Sequence, residues 1–136
     1  MYGNGLGVPE NDAEALKWHR LAADQGHAKA QFTLGLIYAE GLGVPKNNVE
    51  AAKWFHLAAD QGNSHAQAFL GLLYASGLGV KADYIQAYKW ASLSAAQGYQ
   101  NAIETQKLSA GRLTSAQIAE AQRLAREWQP TVTPPR

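Results

Sequence analysis

The sequence predicts an all-α protein: an α-solenoid in which antiparallel helix-turn-helix units of 36 residues stack as a right-handed superhelix of about seven helices. The first observation behind this is internal repetition, since more than half of the positions are identical between 2–37 and 38–73. The residues that recur 36 apart include Tyr2, Tyr38 and Tyr74, then Trp18, Trp54 and Trp90, and finally Gly26, Gly62 and Gly98. The second observation is that each repeat holds two helical apolar patterns separated by a glycine-rich turn. Such a hairpin cannot bury its apolar face alone, whereas stacked neighbours can.

The first helix of a unit, which we call the A helix, is predicted over 27–40. Ala30, Leu34 and Tyr38 are spaced by four residues and therefore form one apolar stripe. Gly35 lies beside this stripe, although a glycine inside a helix costs about 1 kcal/mol relative to alanine. That cost is explained if a neighbouring helix packs very closely at this point.

The second helix of a unit, the B helix, is predicted over 48–61 after a turn at 41–47. Its apolar face is predicted to consist of Ala51, Trp54, Leu57 and Ala58. Gly62 follows at once, as the left-handed residue that commonly ends a helix. The tryptophans at the equivalent positions of the three B helices are predicted to form a buried column between units.

The repeat divides the chain into one domain, 1–129, followed by a tail. We predict a partial unit at 1–26, complete units at 27–62 and 63–98, a C-terminal capping hairpin at 99–129, and a disordered tail at 130–136. In the capping hairpin, Thr114 and Gln117 form a capping-box pattern ahead of an amphipathic helix over 115–128. This helix is suited to close a stack.

The chain opens inside its own repeat, because Met1 occupies the register of Ile37. The A helix expected before it is missing, so the first B helix, about 12–25, has no usual partner. Either the array was cut from a longer one, or this is a native start whose exposed face is covered by something else. On both explanations the apolar face is a candidate self-association surface, formed by Trp18, Leu21 and Ala22.

These strings resemble the Sel1-like repeat, a relative of the tetratricopeptide repeat with a longer turn inside the hairpin. The resemblance covers about 2–109 and rests on small, aromatic and glycine positions. They are Ala30, Leu34, Gly35, Tyr38, Gly41, Gly43, Ala51, Trp54, Ala58, Ala59 and Gly62. The third unit departs from the pattern, with Ser94 for an alanine and Gln106-Lys107 where Leu-Gly is expected. The resemblance implies an α-solenoid adaptor that assembles protein complexes, and a bacterial origin is common in the family.

Composition limits the classes of function. The chain has 136 residues, of which 46% are hydrophobic, and a net charge of +1. This balance lacks the clustered lysine and arginine that binding to nucleic acid or to an anionic membrane needs. The absence of cysteine excludes a thiolate nucleophile and a cysteine-ligated zinc site. Nucleic-acid binding is therefore not expected. No apolar run approaches a transmembrane length, so membrane insertion is not expected either.

No catalytic set is apparent, and we expect no cofactor, no metal and no enzymatic activity. His56 and Asp60 are four residues apart, but no helical histidine pair with a glutamate is present. The glycine strings connect helices and lack the lysine of a phosphate loop. Some Sel1-like proteins have been associated with β-lactam binding or hydrolysis, but no Ser-x-x-Lys set is present here. The alternatives to a scaffold are a family enzyme or small-ligand binder, or a truncated fragment that self-associates.

The surface lined by the A helices is the predicted binding site for a protein or peptide partner. Opposite the core stripe of each A helix runs a second stripe whose polarity varies from unit to unit. The candidates are Lys29, Thr33, Leu36 and Glu40, then His65, Phe69, Leu72 and Ser76, then Asn101, Thr105, Leu108 and Arg112. Mixed polar and apolar side chains of this kind suit a peptide groove. The alternative is that some of the leucines pack against the neighbouring A helix.

The compartment stays open. No basic start followed by an apolar stretch is present, so no signal peptide is visible. The expectation is a cytoplasmic location, or a periplasmic or secreted one if the native start lies upstream of Met1.

Overall fold

A computed structural model describes residues 9–131 and the backbone there is helical throughout, apart from turns. The seven helices of this range are α1 (Pro9–Asp24), α2 (Ala28–Glu40), α3 (Asn48–Asp60), α4 (Ser64–Ser76), α5 (Tyr84–Ala96), α6 (Ala102–Ala110) and α7 (Ser115–Glu127). Helices α2, α4 and α6 are the A helices, and α1, α3 and α5 are the B helices. Each helix packs against its sequence neighbour from α1 to α6, which confirms the all-α solenoid of repeated hairpins.

The B helices begin where polar side chains cap them. Asn47 accepts a hydrogen bond from the Glu50 backbone N–H at 3.0 Å, ahead of α3. Asp83 does the same ahead of α5, for the backbone of Gln86 at 3.1 Å. Such caps stabilise a helix by about 1 kcal/mol. Gly62 follows the end of α3 with φ +97°, which confirms the predicted left-handed residue there.

The glycines inside the A helices lie where two helices meet most closely. A Cβ added to Gly35 would lie 2.5 Å from the ring of Phe55 on α3. A Cβ added to Gly71 would lie 3.2 Å from the backbone oxygen of Ala87 on α5. The predicted close approach at Gly35 is therefore present, and it recurs at Gly71. Both glycines are buried in the contact between the A and the B helix of one unit.

Buried glutamines join one unit to the next. Gln31 donates a hydrogen bond to the carbonyl of Ala23 at 3.2 Å, and its own oxygen accepts one from Gln61 at 2.8 Å. The same arrangement repeats 36 residues later, where Gln67 bonds the carbonyl of Ala59 and accepts from Gln97 at the same two distances. Because a buried amide without partners costs about 1–3 kcal/mol, this pairing favours one register between units.

Two predictions about the apolar face of the B helices were wrong. Trp54 and Trp90 are buried, but Trp18 is 61% exposed, so the tryptophan column has two members in the described chain. Trp54 is covered by the preceding B helix, through Arg20 at 5.7 Å from its ring, and the described residues place no such helix beside Trp18. Leu57 is also exposed, because Phe55 and Ala59 turn inward in its place.

The helix α7 does not pair with α6. It packs mainly against α5, with its predicted capping box of Thr114 and Gln117 present. The ring of Trp128 at its end lies 6.2 Å from the ring of Trp90 and approaches Gly62. The chain therefore folds back over the B helices after residue 115. This differs from the expected capping hairpin, in which α7 would lie against α6 as its B helix.

The segment predicted as a disordered tail is described only at its start. The backbone N–H of Thr131 donates a hydrogen bond to the carbonyl of Asp60 at 2.6 Å. This bond ties the end of the described chain to the C-terminus of α3. Residues 132–136 lie outside the described residues, as do 1–8 of the predicted partial unit.

Candidate functional site

The predicted partner-binding residues lie on, or directly beside, three successive A helices in four registers. They form the sets Lys29, His65 and Asn101; Thr33, Phe69 and Thr105; Leu36, Leu72 and Leu108; and Glu40, Ser76 and Arg112. Members of one set occupy equivalent positions of successive units. Their surroundings nevertheless differ, because each A helix also packs against its neighbours in the stack. The structure therefore separates the candidates into residues that face solvent and residues that fill the contact between units.

Two members of the second set, Phe69 and Thr105, pack between units. The ring of Phe69 lies 5.6 Å from that of Phe32 on the preceding A helix and 5.3 Å from that of Phe55. Thr105, at the same position on α6, is only 5% exposed, although it forms part of the lining of the cleft between α4 and α6. Thr33 turns its hydroxyl back to the carbonyl of Lys29 at 3.0 Å. The predicted role of Thr105 at a partner surface therefore does not fit its burial, and Phe69 belongs largely to the stack.

The first set lies near the beginnings of the A helices and includes an aromatic row. The ring of His65 is exposed and lies 5.8 Å from the ring of Phe32 and 4.5 Å from that of Tyr99. Asn101 is close to the same row, since its amide donates to the Tyr99 hydroxyl at 3.4 Å. Flat rings in a row with polar edges can stack on a peptide side chain while keeping their hydrogen bonds to water.

The third set provides the most exposed apolar groups of this surface. Leu36 is half-buried against the core, whereas Leu72 and Leu108 are 49% and 54% exposed. These two leucines line one open cleft of about 470 Å³ between α4 and α6, together with Glu104 and Lys107. A pair of apolar side chains flanked by one acid and one base is a surface that a peptide can cover with both apolar and charged contacts.

The fourth set lies at the ends of the A helices and is exposed. Glu40 and Ser76 face solvent near the glycine turns. Arg112 is engaged within the chain, because its guanidinium lies 5.4 Å from the ring of Tyr84 and donates to its hydroxyl at 3.3 Å. Arg112 therefore holds the turn before α7 against the start of α5 rather than standing free for a partner.

The shifted pKa values belong to residues away from these four sets. Burial lowers the pKa of Lys89 on α5, and burial raises the pKa of Tyr74 in the α4–α5 contact. A hydrogen bond from Arg123 lowers the pKa of Glu120 on α7. Each of these shifts has a packing or helix-surface cause. Such shifts are signs of chemistry only when they gather in a cleft, and these three groups lie on different helices.

The serines of α5 and the pair of His56 and Asp60 make hydrogen bonds within the chain. Ser94 donates to the carbonyl of Ser64 at 2.8 Å, and Ser92 accepts from Gln106 at 3.0 Å. His56 lies 3.2 Å from a carboxylate oxygen of Asp60, in an exposed pair. Among the side chains described, those of residues 14–131, there is no group of three or more histidine, aspartate or glutamate residues placed to hold a metal ion. Among the described helices, none is long and apolar enough to cross a membrane.

The candidate self-association face is open. Beside the exposed Trp18, Leu21 is also exposed and Ala22 is half-buried. Leu21 lines a shallow cleft of about 310 Å³ with Lys17 and Arg20, at the side of α1 that faces Tyr38. A further cleft lies against Lys29 and Thr33, where a preceding A helix would pack in a longer stack. All three predicted residues therefore lie on one accessible face.

One apolar surface was not predicted from the sequence. Val49, on the outer side of α3, is 65% exposed and shares a cleft of about 510 Å³ with Leu57 and Val80. A signal was present, because Val49 stands where Ala13 and Ile85 stand in the neighbouring repeats. The sequence prediction places Leu57 in the core, and without Leu57 the exposed Val49 has no exposed apolar neighbour on the same helix to indicate a surface.

Comparison with known proteins agrees with the repeat register. The sequence model of the Sel1 repeat family matches residues 1–27, 28–63 and 64–99. The structure resembles a protective antigen of uropathogenic Escherichia coli strains that displays an SLR fold, with a TM-score of 0.80 and 37% identity over 84% of this chain and 25% of that one. It also resembles a Sel1 repeat protein from Oxalobacter formigenes, with a TM-score of 0.67 and 41% identity over 69% of this chain and 39% of that one.

The chain thus spans about a quarter and about two fifths of the lengths of these two structures. No curated protein matches the sequence. The three repeat matches cover most of the chain and follow the 36-residue units predicted from it. The chain belongs to the Sel1 repeat family.

Proposed function

We propose that the protein is an interaction scaffold that binds an extended peptide of a partner protein along its A helices, without catalysis of its own. Sel1 repeats typically mediate protein interactions. The observation that carries the proposal is the exposure of Leu72 and Leu108 in one cleft. An apolar pair repeated at the unit spacing matches side chains of an extended peptide better than it matches a small molecule, which an enclosed pocket would hold.

The polar residues around this pair support the same proposal. Glu104 and Lys107 line the cleft and can fix the direction of a peptide through its charges. His65 and Asn101 extend the surface toward the beginnings of the A helices. Lys29, Leu36, Glu40 and Ser76 complete the proposed surface at its edges. Phe69 and Thr105 are left out of it because they pack between units. Thr33 and Arg112 are left out because their polar groups bond the Lys29 carbonyl and the Tyr84 hydroxyl.

The proposal predicts that peptides selected against this protein from a phage-displayed random library depend on the two leucines. The double variant L72E/L108E is expected to weaken binding of a selected peptide by about tenfold or more, since charges would then have to be buried under it. Binding is measured by isothermal titration, and circular dichroism checks that the variant is folded. The control is L42E, because Leu42 is equally exposed but lies in a turn. Selected peptides that bind the double variant and the wild type alike would contradict the proposal.

Self-association through α1 is a second candidate, favoured by the exposure of Trp18 and Leu21. A second chain would bury Trp18, whose equivalents Trp54 and Trp90 are buried inside the stack. Sedimentation velocity over a concentration series is expected to show a dimer that W18K abolishes. L42E, which is equally exposed elsewhere, should leave the dimer intact. A wild type that stays monomeric at the highest concentration would rule this candidate out.

A further inference from the structure

The outer side of α3 carries an apolar groove, formed by Val49, Leu57 and Val80 and bordered by Lys53 and His56. We call it the α3 groove. Val49 and Leu57 are 65% and 44% exposed, and the turn that leads into α5 forms the far wall. The groove lies on a B helix and is therefore separate from the proposed peptide surface on the A helices.

The next unit shows what covers this side of a B helix. Ile85 and Leu93 on α5 stand at the positions of Val49 and Leu57, yet both are half-buried. The amphipathic helix α7 packs on α5, and Gln122 donates a hydrogen bond at 3.3 Å to the hydroxyl of the buried Tyr88. The same face of the repeat is thus covered by an amphipathic helix in one unit and open in the unit before it.

The covered face continues into the open one. Trp128 at the end of α7 packs on Trp90 and reaches Gly62, and the backbone of Thr131 bonds the carbonyl of Asp60 at the end of α3. A helix placed in the α3 groove would therefore extend an interface that already exists within the chain. The chain's own amphipathic helix, α7, already packs on α5. Within the described residues it therefore does not also fill the α3 groove.

We propose that the α3 groove binds an amphipathic α-helix of a partner protein, one with an apolar stripe flanked by acidic residues. The stripe would cover Val49, Leu57 and Val80, as α7 covers the equivalent side of α5. The acidic flank follows from the charges, because both ionisable side chains that line the groove are basic. Lys53 lies 3.8 Å from Glu50, and His56 lies 3.2 Å from Asp60. Lys53 is the more exposed partner of its pair, so its ammonium group retains N–H donors for a further carboxylate.

The probe for this site is a fluorescein-labelled synthetic peptide of residues 113–129 with Gln117→Glu and Gln122→Glu, added to the full chain. It carries the apolar stripe of α7 and two additional negative charges. We expect a saturable rise in anisotropy, and we expect L57E to weaken it by about tenfold or more, because the charge would be buried against the apolar stripe. V49E is a second variant with the same expectation. L42E, at an exposed leucine in the turn between α2 and α3, should change the affinity by less than about twofold.

A second comparison tests the charge. The unmodified peptide of residues 113–129 should bind several-fold more weakly than the acidic one, and the difference should shrink at high salt. The proposal is overturned if the acidic peptide does not bind in a saturable way. It is also overturned if the peptide binds L57E and V49E as tightly as the wild type, because that result would mean that the peptide displaces α7 from α5 instead of entering the groove. It is overturned in favour of a second copy if the chain alone forms a dimer that L57E abolishes in sedimentation velocity.

Discussion

Replacing Trp90 with alanine is expected to lower the free energy of unfolding by about 3–5 kcal/mol, the usual range for a large aromatic residue in a core. Trp90 is 1% exposed and lies in the main core cluster, with Leu73 and Phe55 among its members. On its outer side it contacts His56 at 5.6 Å and Trp128 at 6.2 Å between ring centres. The variant leaves a cavity where α3, α5 and α7 meet. Urea unfolding followed by circular dichroism measures the loss.

The repeat provides a matched control for this experiment. Trp18 occupies the same position in the first described B helix but is 61% exposed, so W18A is expected to cost less than about 1 kcal/mol. Both proteins are compared at a concentration low enough to keep the wild type monomeric. Equal losses for the two variants would mean that Trp18 is buried in solution, by a second copy or by residues outside 9–131, and would contradict the exposure that the fold gives it.

The period of the sequence predicts the elements of this fold well. Glycine, tyrosine and tryptophan positions repeat every 36 residues, so the bounds of α2 to α5 follow from the turns and caps to within about one residue. The capping box at Thr114 also identifies the start of α7. Local chemistry decides these features, because a cap or a turn depends on the residues immediately around it.

Burial was harder to predict, for a physical reason. Periodicity states which side of a helix a residue lies on, but not whether a neighbouring helix or solvent faces that side. Phe69 and Thr105 share one side of the A helices, and the sequence alone does not tell that the preceding A helix covers this side. Leu57 has the opposite outcome, since an apolar residue assigned to the core is exposed.

The position of α7 illustrates the same limit over a longer distance. Its amphipathic pattern predicts that one side is buried, and on that side Ala121 is buried and Ile118 half-buried. Which helix it packs on depends on the length of α6, which ends after nine residues. The early turn places α7 over the outer side of α5 instead of beside α6. The 36-residue repeat does not predict the packing of α7, because the sequence no longer follows the repeat after α6.

Replacing Gly79 with alanine is the other change for which we expect a large loss, about 3 kcal/mol or more. Gly79 has φ +76°, a conformation that costs an alanine about 1–2 kcal/mol. In addition, a Cβ on this residue would overlap the backbone of Asn48 and Val49, where the turn between α4 and α5 packs on the start of α3. The atoms in this contact belong to the backbone, so no flexible side chain can move aside. The overlap can be relieved only if the turn separates from α3.

Gly98 separates the two contributions. Its φ is +98°, but a Cβ there would meet nothing within 4 Å, so G98A is expected to cost about 1–2 kcal/mol from backbone conformation alone. The difference in stability between the two variants, measured by thermal unfolding, therefore gives the share of the G79A loss that is due to the contact between units. The same change should widen the α3 groove, because Gly79 and Val80 form its wall. If G79A and G98A lose the same stability, the turn does not hold the two units together, and the stack depends instead on its aromatic contacts and its buried glutamines.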